Sequence, residues 1–297
     1  MPMDTLIARR HLFPLGLAAW LGPARAEDAE LRWLVVEAGP QGGGEGPLAD
    51  ETLANRLLRE VLWPGLPGWR HQLRVRPAAQ LPRELQAAAA TCVVGMGAPA
   101  SDPAPGLLAG PVLRVLPMGA VVRAADAAWW RPHLNWRGEL VLAASLSSAE
   151  GLAAFKVDRP HGPGIDPVLQ QQPAERLRRL QVDGASRIAL SMLARQQGVA
   201  VAFADPAELR QFERSQPDLA GSLRWLPVQG QPELVARHIA CSRNDAGRRA
   251  MVQLNALLAR TDIREQLQLI YEAQLTTTER ERLLMLRSRL GEGFWRV

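Results

Sequence analysis

The sequence predicts an α/β protein of two lobes, each a mostly parallel sheet flanked by helices, with the chain crossing between them twice. Three observations carry this. Apolar runs of strand length alternate with amphipathic runs of helical length through residues 31–97. A Pro/Gly-rich break at 97–111 is followed by a second alternating series from about residue 140. The last third then returns to the first pattern. A β-α-β-α-β series is the mark of a parallel sheet with helices on its faces. Two such series, with a return, place the crossings near 112–120 and 230–240.

The elements follow in order. LRWLVV (31–36) reads as a strand, and Asp50 as the N-cap of a helix ETLANRLLREVLW that stops at Pro64-Gly65. HQLRVRP (71–77) alternates as a strand, LPRELQAAAA as a second helix and TCVVGMG (91–97) as a second buried strand. VLRVLPMGAVVRA (112–124) is extended, with Pro117 marking an edge or crossing segment. In the second series ELVLAAS is an apolar run, and Ser147 and Glu150 have capping-box spacing at the start of SSAEGLAAF, read as a helix. DRPHGPGIDP is a turn in which Asp166-Pro167 is expected to open a helix. RRLQVD is strand-like, Ser186 begins a helix, VAVAFA (199–204) is a buried strand, and Asp205 with Glu208 forms a further capping box. LRWLPV and ELVARHIACS are extended. NDAGRRAMVQLNALLAR and two more runs, near 262–273 and 277–290, are helices, with Thr276 and Glu279 capping the last.

The first 26 residues, MPMDTLIARRHLFPLGLAAWLGPARA, have the layout of a secretory signal peptide. Arg9 and Arg10 are a positive n-region, Leu12 to Leu21 is too short an apolar run to span a bilayer comfortably, and Ala24-Arg25-Ala26 is an A-x-A cleavage site. The adjacent arginines leave both the general secretory and the twin-arginine routes open. Of 297 residues, removal of 26 leaves 271, enough for one large domain or two modest lobes. No cysteine stands just after the cleavage site, which argues against a lipid anchor there. The formal charge of +5 falls to near +3 once Arg9, Arg10, Arg25 and Asp4 depart. The remaining basic residues are dispersed among acids, so a nucleic-acid partner is not expected. The chain holds two cysteines, Cys92 and Cys241. In an oxidising compartment an even pair invites a disulfide, the alternative being two buried free thiols.

Taken together, the signal peptide, LPGW (66–69) before a strand ending at Arg76, the run AAATCVVGMG, GPVLRVLPMGAVVRA at the first crossing, RPHGPGID (159–166) and HIACSRNDAGRRAMVQLNALLAR (238–260) resemble the type II periplasmic solute-binding proteins that serve amino-acid ABC transporters. The resemblance covers nearly the whole mature chain. It implies a lobe of 27–114 and 236–297, a lobe of 115–235, and two hinge crossings about which they close on a ligand. It implies that the returning strand lies beside the third strand of the first lobe, which would bring Cys92 and Cys241 together. It also implies a periplasmic monomer that binds a small molecule, with an inner-membrane ABC permease or a sensor as partner. Two departures stand out. Binders of this class usually place an arginine just after the third strand, where this chain reads MGAPASDPAPG. They often carry an aspartate in the last strand of lobe two, where only Asp205 is offered.

Ligands of open α/β sheets sit beyond the C-terminal ends of the parallel strands. That rule selects Glu37 with its glycine-rich loop to Gly46; Gly95 and Gly97 with Ser101; Arg159, His161 and Gly162; and Asp205. Arg159 is expected to stand in water in an open cleft, ready to clamp a carboxylate or phosphate beside a helix N-terminus. Asp166 and Asp205 read first as caps. Trp33, Trp129, Trp130 and Trp136 are candidates for an aromatic wall. No G-x-S-x-G, HExxH or paired-histidine spacing occurs, and the histidines at 71, 133, 161 and 238 are scattered. No catalytic residue, cofactor or metal is therefore assigned, and a non-enzymatic binding protein is expected. The rivals are a sensor or adaptor with a degenerate cleft, which the missing arginine favours, and a dehydratase-type lyase in which Glu37 would face Asp205.

Overall fold

The computed structural model describes residues 29–36, 52–97, 106–149, 151–156, 159–182 and 184–295. The expected signal peptide, Glu37 and its loop, and Ser101 lie outside the described residues. The strands are β1 (Ala29–Val36), β2 (Trp69–Arg76), β3 (Thr91–Met96), β4 (Leu107–Val115), β5 (Gly119–Arg123), β6 (Leu152–Lys156), β7 (Leu177–Leu180), β8 (Val199–Ala204), β9 (Leu223–Leu226) and β10 (Val235–Cys241). The helices are α1 (Leu53–Leu57, continued by a π-helical turn over Leu58–Leu62), α2 (Leu81–Leu85), α3 (Ala127–Trp130), α4 (Leu142–Ser148), α5 (Asp166–Gln171), α6 (Ala185–Ala194), α7 (Pro206–Ser215), α8 (Asp245–Ala259), α9 (Thr261–Glu272) and α10 (Thr277–Leu290).

These elements form two five-stranded sheets built on one plan. The first has the order β2-β1-β3-β10-β4 and the second β7-β6-β8-β5-β9. In each, three parallel strands come from one continuous series. The strand that arrives from the other sheet then inserts antiparallel beside the third, with a fifth strand antiparallel outside it. The first crossing is the short link between β4 and β5; the second runs from β9 to β10.

β1 shows why the sequence folds this way. Leu31 and Trp33 are fully buried on one face, among Leu57, Leu58 and Leu62 of the first helix. Leu34 is buried on the other face with Leu81, Leu85 and Val93. A strand covered on both faces reads as a near-continuous apolar run, as LRWLVV does. The first of these clusters continues without a break into the second sheet, through Val121, Leu190, Leu193 and Phe212. The last two helices reach the first crossing and the second series of elements. The backbone N–H of Leu116 donates to the Tyr271 hydroxyl at 3.0 Å, and Arg282 of α10 reaches across to Glu139 at 3.0 Å.

The returning strand lies where the resemblance implies. Cys241 stands directly opposite Cys92 in the antiparallel β10–β3 ladder, and the two form a disulfide.

Three expectations are corrected. Residues 142–148 are a helix and 152–156 a strand, the reverse of the reading of SSAEGLAAF as helical. The hydroxyls of Ser147 and Ser148 donate back to the carbonyls of Ala143 and Ala144, which places them at a helix C-terminus and not in an N-cap. Asp166 does not cap α5 either; its carboxylate turns back to the chain before it. Trp33 walls no cleft. It is core, its indole N–H donating to His71 Nδ1 at 3.0 Å. Trp130 is likewise core of the second sheet, while Trp129 and Trp136 are exposed.

Candidate functional site

Three strand ends point their following loops at one region: β3, β6 and β8. Gly97 follows the first, the turn at 159–165 the second, and Asp205 the third. β10 supplies a fourth participant, Arg237, just before a ladder irregularity at His238.

Asp205 is held by the start of α7. It accepts the Glu208 backbone N–H at 2.9 Å, while the Glu208 carboxylate accepts the Asp205 N–H at 3.1 Å. This reciprocal box fixes both carboxylates at the helix mouth. Arg159 then donates to the same Glu208 carboxylate and, at 3.4 Å, to the Ser186 hydroxyl. On the other side Arg237 donates to Asp205 at 3.2 Å. The result is a line, Arg159–Glu208–Asp205–Arg237, in which positive and negative charges compensate. Its last member belongs to the first sheet and the rest to the second. Arg237 Nη1 also lies 3.7 Å from the place a Cβ on Gly97 would take, so the guanidinium passes within ordinary contact distance of the residue that follows β3. Gly95 takes φ +85°, a left-handed conformation at the irregularity where the β10 ladder passes from Val94 to Met96.

The charges are not equivalent. Burial pushes Asp205 above its ordinary value, and the adjacent Glu208 charge pushes the same way, against Arg237 and Arg159. Burial would also raise Glu208, but the charge and hydrogen bond of Arg159 outweigh it and hold that carboxyl below its usual range. Arg159 itself is raised, its loss of solvent overcome by Glu208.

The expected anion-receiving turn is already filled. The Asp166 carboxylate accepts the backbone N–H of His161 at 2.9 Å and of Gly162 at 2.9 Å, and faces His161 Nδ1 at 3.1 Å. The His161 ring is buried, edge-on to Phe155 and Phe203, and that burial lowers its pKa despite Asp166. Gly162 takes φ +103°, and a Cβ there would stand 2.4 Å from Gln231 Oε1. Its small size thus serves close packing against the second crossing. Gln231, which no sequence pattern marks, donates to Met118 O at 2.9 Å and His161 O at 2.6 Å and accepts from Gly164 N at 3.2 Å. It staples the turn to both crossings.

The structure thus brings together Arg159, Asp205 and Gly97, and adds Glu208, Arg237 and Ser186. His161 and Gly162 build the supporting turn. Arg159 does not stand free in water: its side chain is 27 % exposed and engaged by an internal carboxylate. Arg237 stands in no motif that would have named it in the sequence. The register of β10 carried the only signal for it. Among the described residues no group of three His, Cys, Asp or Glu side chains is placed to hold a metal, and no helix is long and apolar enough to cross a membrane.

No family model matches the chain, and no curated protein matches it. Solved structures do. MxaJ from Methlophaga aminisulfidivorans MPT aligns with a TM-score of 0.54 at 13% identity, over 82% of this chain and 98% of that one. An amino acid ABC transporter substrate-binding protein from Streptococcus pneumoniae, bound to L-arginine, aligns at 0.53 and 14%, over 83% and 93%. A mutant of ArgBP from T. maritima aligns at 0.51 and 15%, over 84% and 96%. At these identities the likeness carries the fold: this chain has the two-lobe architecture of the type II periplasmic binding proteins, and its structural neighbours include solute-binding proteins.

Proposed function

We propose that the chain is an exported binding protein whose lobes, 27–114 with 236–297 and 115–235, close on a small polar or anionic solute at the Arg159–Glu208–Asp205–Arg237 line. Transport through an inner-membrane permease is the role this reading gives it. The observation that supports it most is the Arg237–Asp205 ion pair, which joins the two sheets where three strand ends meet. Paired arginines and carboxylates present acceptors and donors together, so a ligand carrying both kinds of group exchanges internal partners for its own. The binding proteins among the structural neighbours support the same class.

A second reading, a sensor or adaptor with a degenerate cleft, is favoured by one observation. Both places expected to receive an anion are filled from within, by Glu208 and by Asp166.

A thermal-shift screen of the protein against small polar metabolites separates the readings. A ligand at a hundredfold over its Kd adds about 2.7 kcal/mol of stability. Calorimetry with that ligand should then show Arg159→Ala weaker by about 2–5 kcal/mol, the loss typical of truncating one partner of a buried charge pair. Unchanged affinity in the variant would remove Arg159 from the site. No stabilising ligand across the library supports the adaptor, and turnover of the ligand would make the protein a lyase.

A further inference from the structure

The segment between β5 and α4 carries the sequence WWRPHLNWRG over 129–138. Trp136 is 92% exposed and Trp129 41%, while Trp130 between them is buried and anchors the segment in the second lobe. A tryptophan in water leaves a large apolar ring unsatisfied. This one is not loose. Asn135 Oδ1 accepts from Arg137 N at 2.9 Å and Glu139 N at 3.0 Å, Asn135 N donates to Glu139 O at 2.8 Å, and Leu134 bridges Leu140. The turn therefore holds the ring out at its tip, with the Arg137 guanidinium 5.9 Å from its centroid.

The surroundings are basic. Arg131 is exposed and makes no ion pair among the described residues. Arg137, Arg282 and Arg289 gather on Glu139 and Glu233, three guanidiniums on two carboxylates.

We propose that this turn is a membrane-surface contact that seats Trp136 among the headgroups of an anionic bilayer. Amphipathic indole rings concentrate at the membrane–water interface, and basic side chains beside them are drawn to anionic lipid. A protein partner fits less well. Protein interfaces do take up tryptophan and arginine, but around this ring the guanidiniums outnumber the carboxylates, which is the complement of an anionic surface. The proposal lies outside the cleft and does not depend on its ligand.

The test is co-sedimentation of the processed protein, beginning at Glu27, with vesicles of phosphatidylcholine alone or mixed with phosphatidylglycerol. Binding to the mixed vesicles, weakened by salt and absent from the neutral ones, is expected. Brominated lipid should quench a fluorescence component that Trp136→Ala lacks. Trp136→Ala should bind at least about tenfold more weakly, the scale of burying one large apolar side chain. Arg131→Ala should bind about fivefold more weakly, the scale of one basic residue near an anionic surface. Both side chains are exposed, so neither variant should change Tm. Absence of binding to mixed vesicles, or equal binding by Trp136→Ala, overturns the proposal. Photo-crosslinking from position 136 to a protein without vesicle binding would assign the surface to a protein partner and overturn it equally.

Discussion

At the scale of single residues, His71 shows how buried hydrogen bonds choose a protonation state. Its Nδ1 accepts from the Trp33 indole, and its Nε2 faces the Leu66 carbonyl at 3.1 Å. Only the neutral ring, with its proton on Nε2, satisfies both, and Trp63 stacks on it with centroids 5.6 Å apart. Burial lowers its pKa from 6.5, and burial lowers that of His161 in the same direction. The unfolded chain then takes up these protons first as pH falls through 6.5. Stability from both rings is complete above that value and is lost below it, toward the lower native pKa values. Tm should therefore fall from pH 7 to pH 5. His71→Gln, which stays neutral, should flatten the profile; an unchanged slope would place the acid sensitivity elsewhere. The candidate site was legible in the sequence only as isolated polar residues at strand ends. Arg159 and Asp205 could be named because they follow β6 and β8. Their partner Glu208 showed only its capping role, since its contact with Arg159 spans 49 positions of chain.

At the scale of elements, helix starts were legible because a capping box is a local reciprocal bond. Asp205–Glu208 and Thr276–Glu279 both form as the spacing implies. Thr276→Ala should cost about 1 kcal/mol, the usual loss of such a cap. In a chain of this size that lowers Tm by about 2–4 °C, which calorimetry would register. Ser147 and Glu150 have the same spacing and do not start a helix. Residues 142–155 are alanine-rich and short, so neither a 3.6 nor a 2 period has room to declare itself. Position decides instead. β6 is flanked by β7 and β8, and Gly151, at φ +116°, packs against Ala200 before it. Such tertiary choices are invisible in a single sequence. The long C-terminal helices were legible because their apolar faces repeat over several turns, burying Leu254, Leu257 and Leu258 in α8.

At the scale of the whole molecule, the two-sheet plan was legible from alternation, while the bonds that join the sheets were not. Arg237–Asp205 lies on the strand-end side, and Arg282–Glu139 and Arg289–Glu233 tie α10 to the second lobe. The disulfide pins the returning strand to the third strand of the first sheet across a separation of 149 residues. Closing so long a loop stabilises by about 5 kcal/mol in the chain-entropy model. Cys92→Ala with Cys241→Ala should lower Tm by about 10 °C or more, at 2–4 °C per kcal/mol, and reductant should do the same to the parent protein. A double variant that melts with the parent would show the bond to be neutral.

The same bond sets a schedule. Sheet one lacks β10 until residue 241 is made, whereas all five strands of sheet two lie between 119 and 226. At common synthesis rates Cys92 precedes its partner by roughly 7–30 seconds. Until Cys241 joins it in an oxidising compartment it is a lone thiol on an unfinished sheet. With two cysteines in the chain only one intrachain pairing exists, so every mispaired protein disulfide must join two molecules. Misfolded protein should accumulate as covalent dimers, and its share should rise with the rate of production.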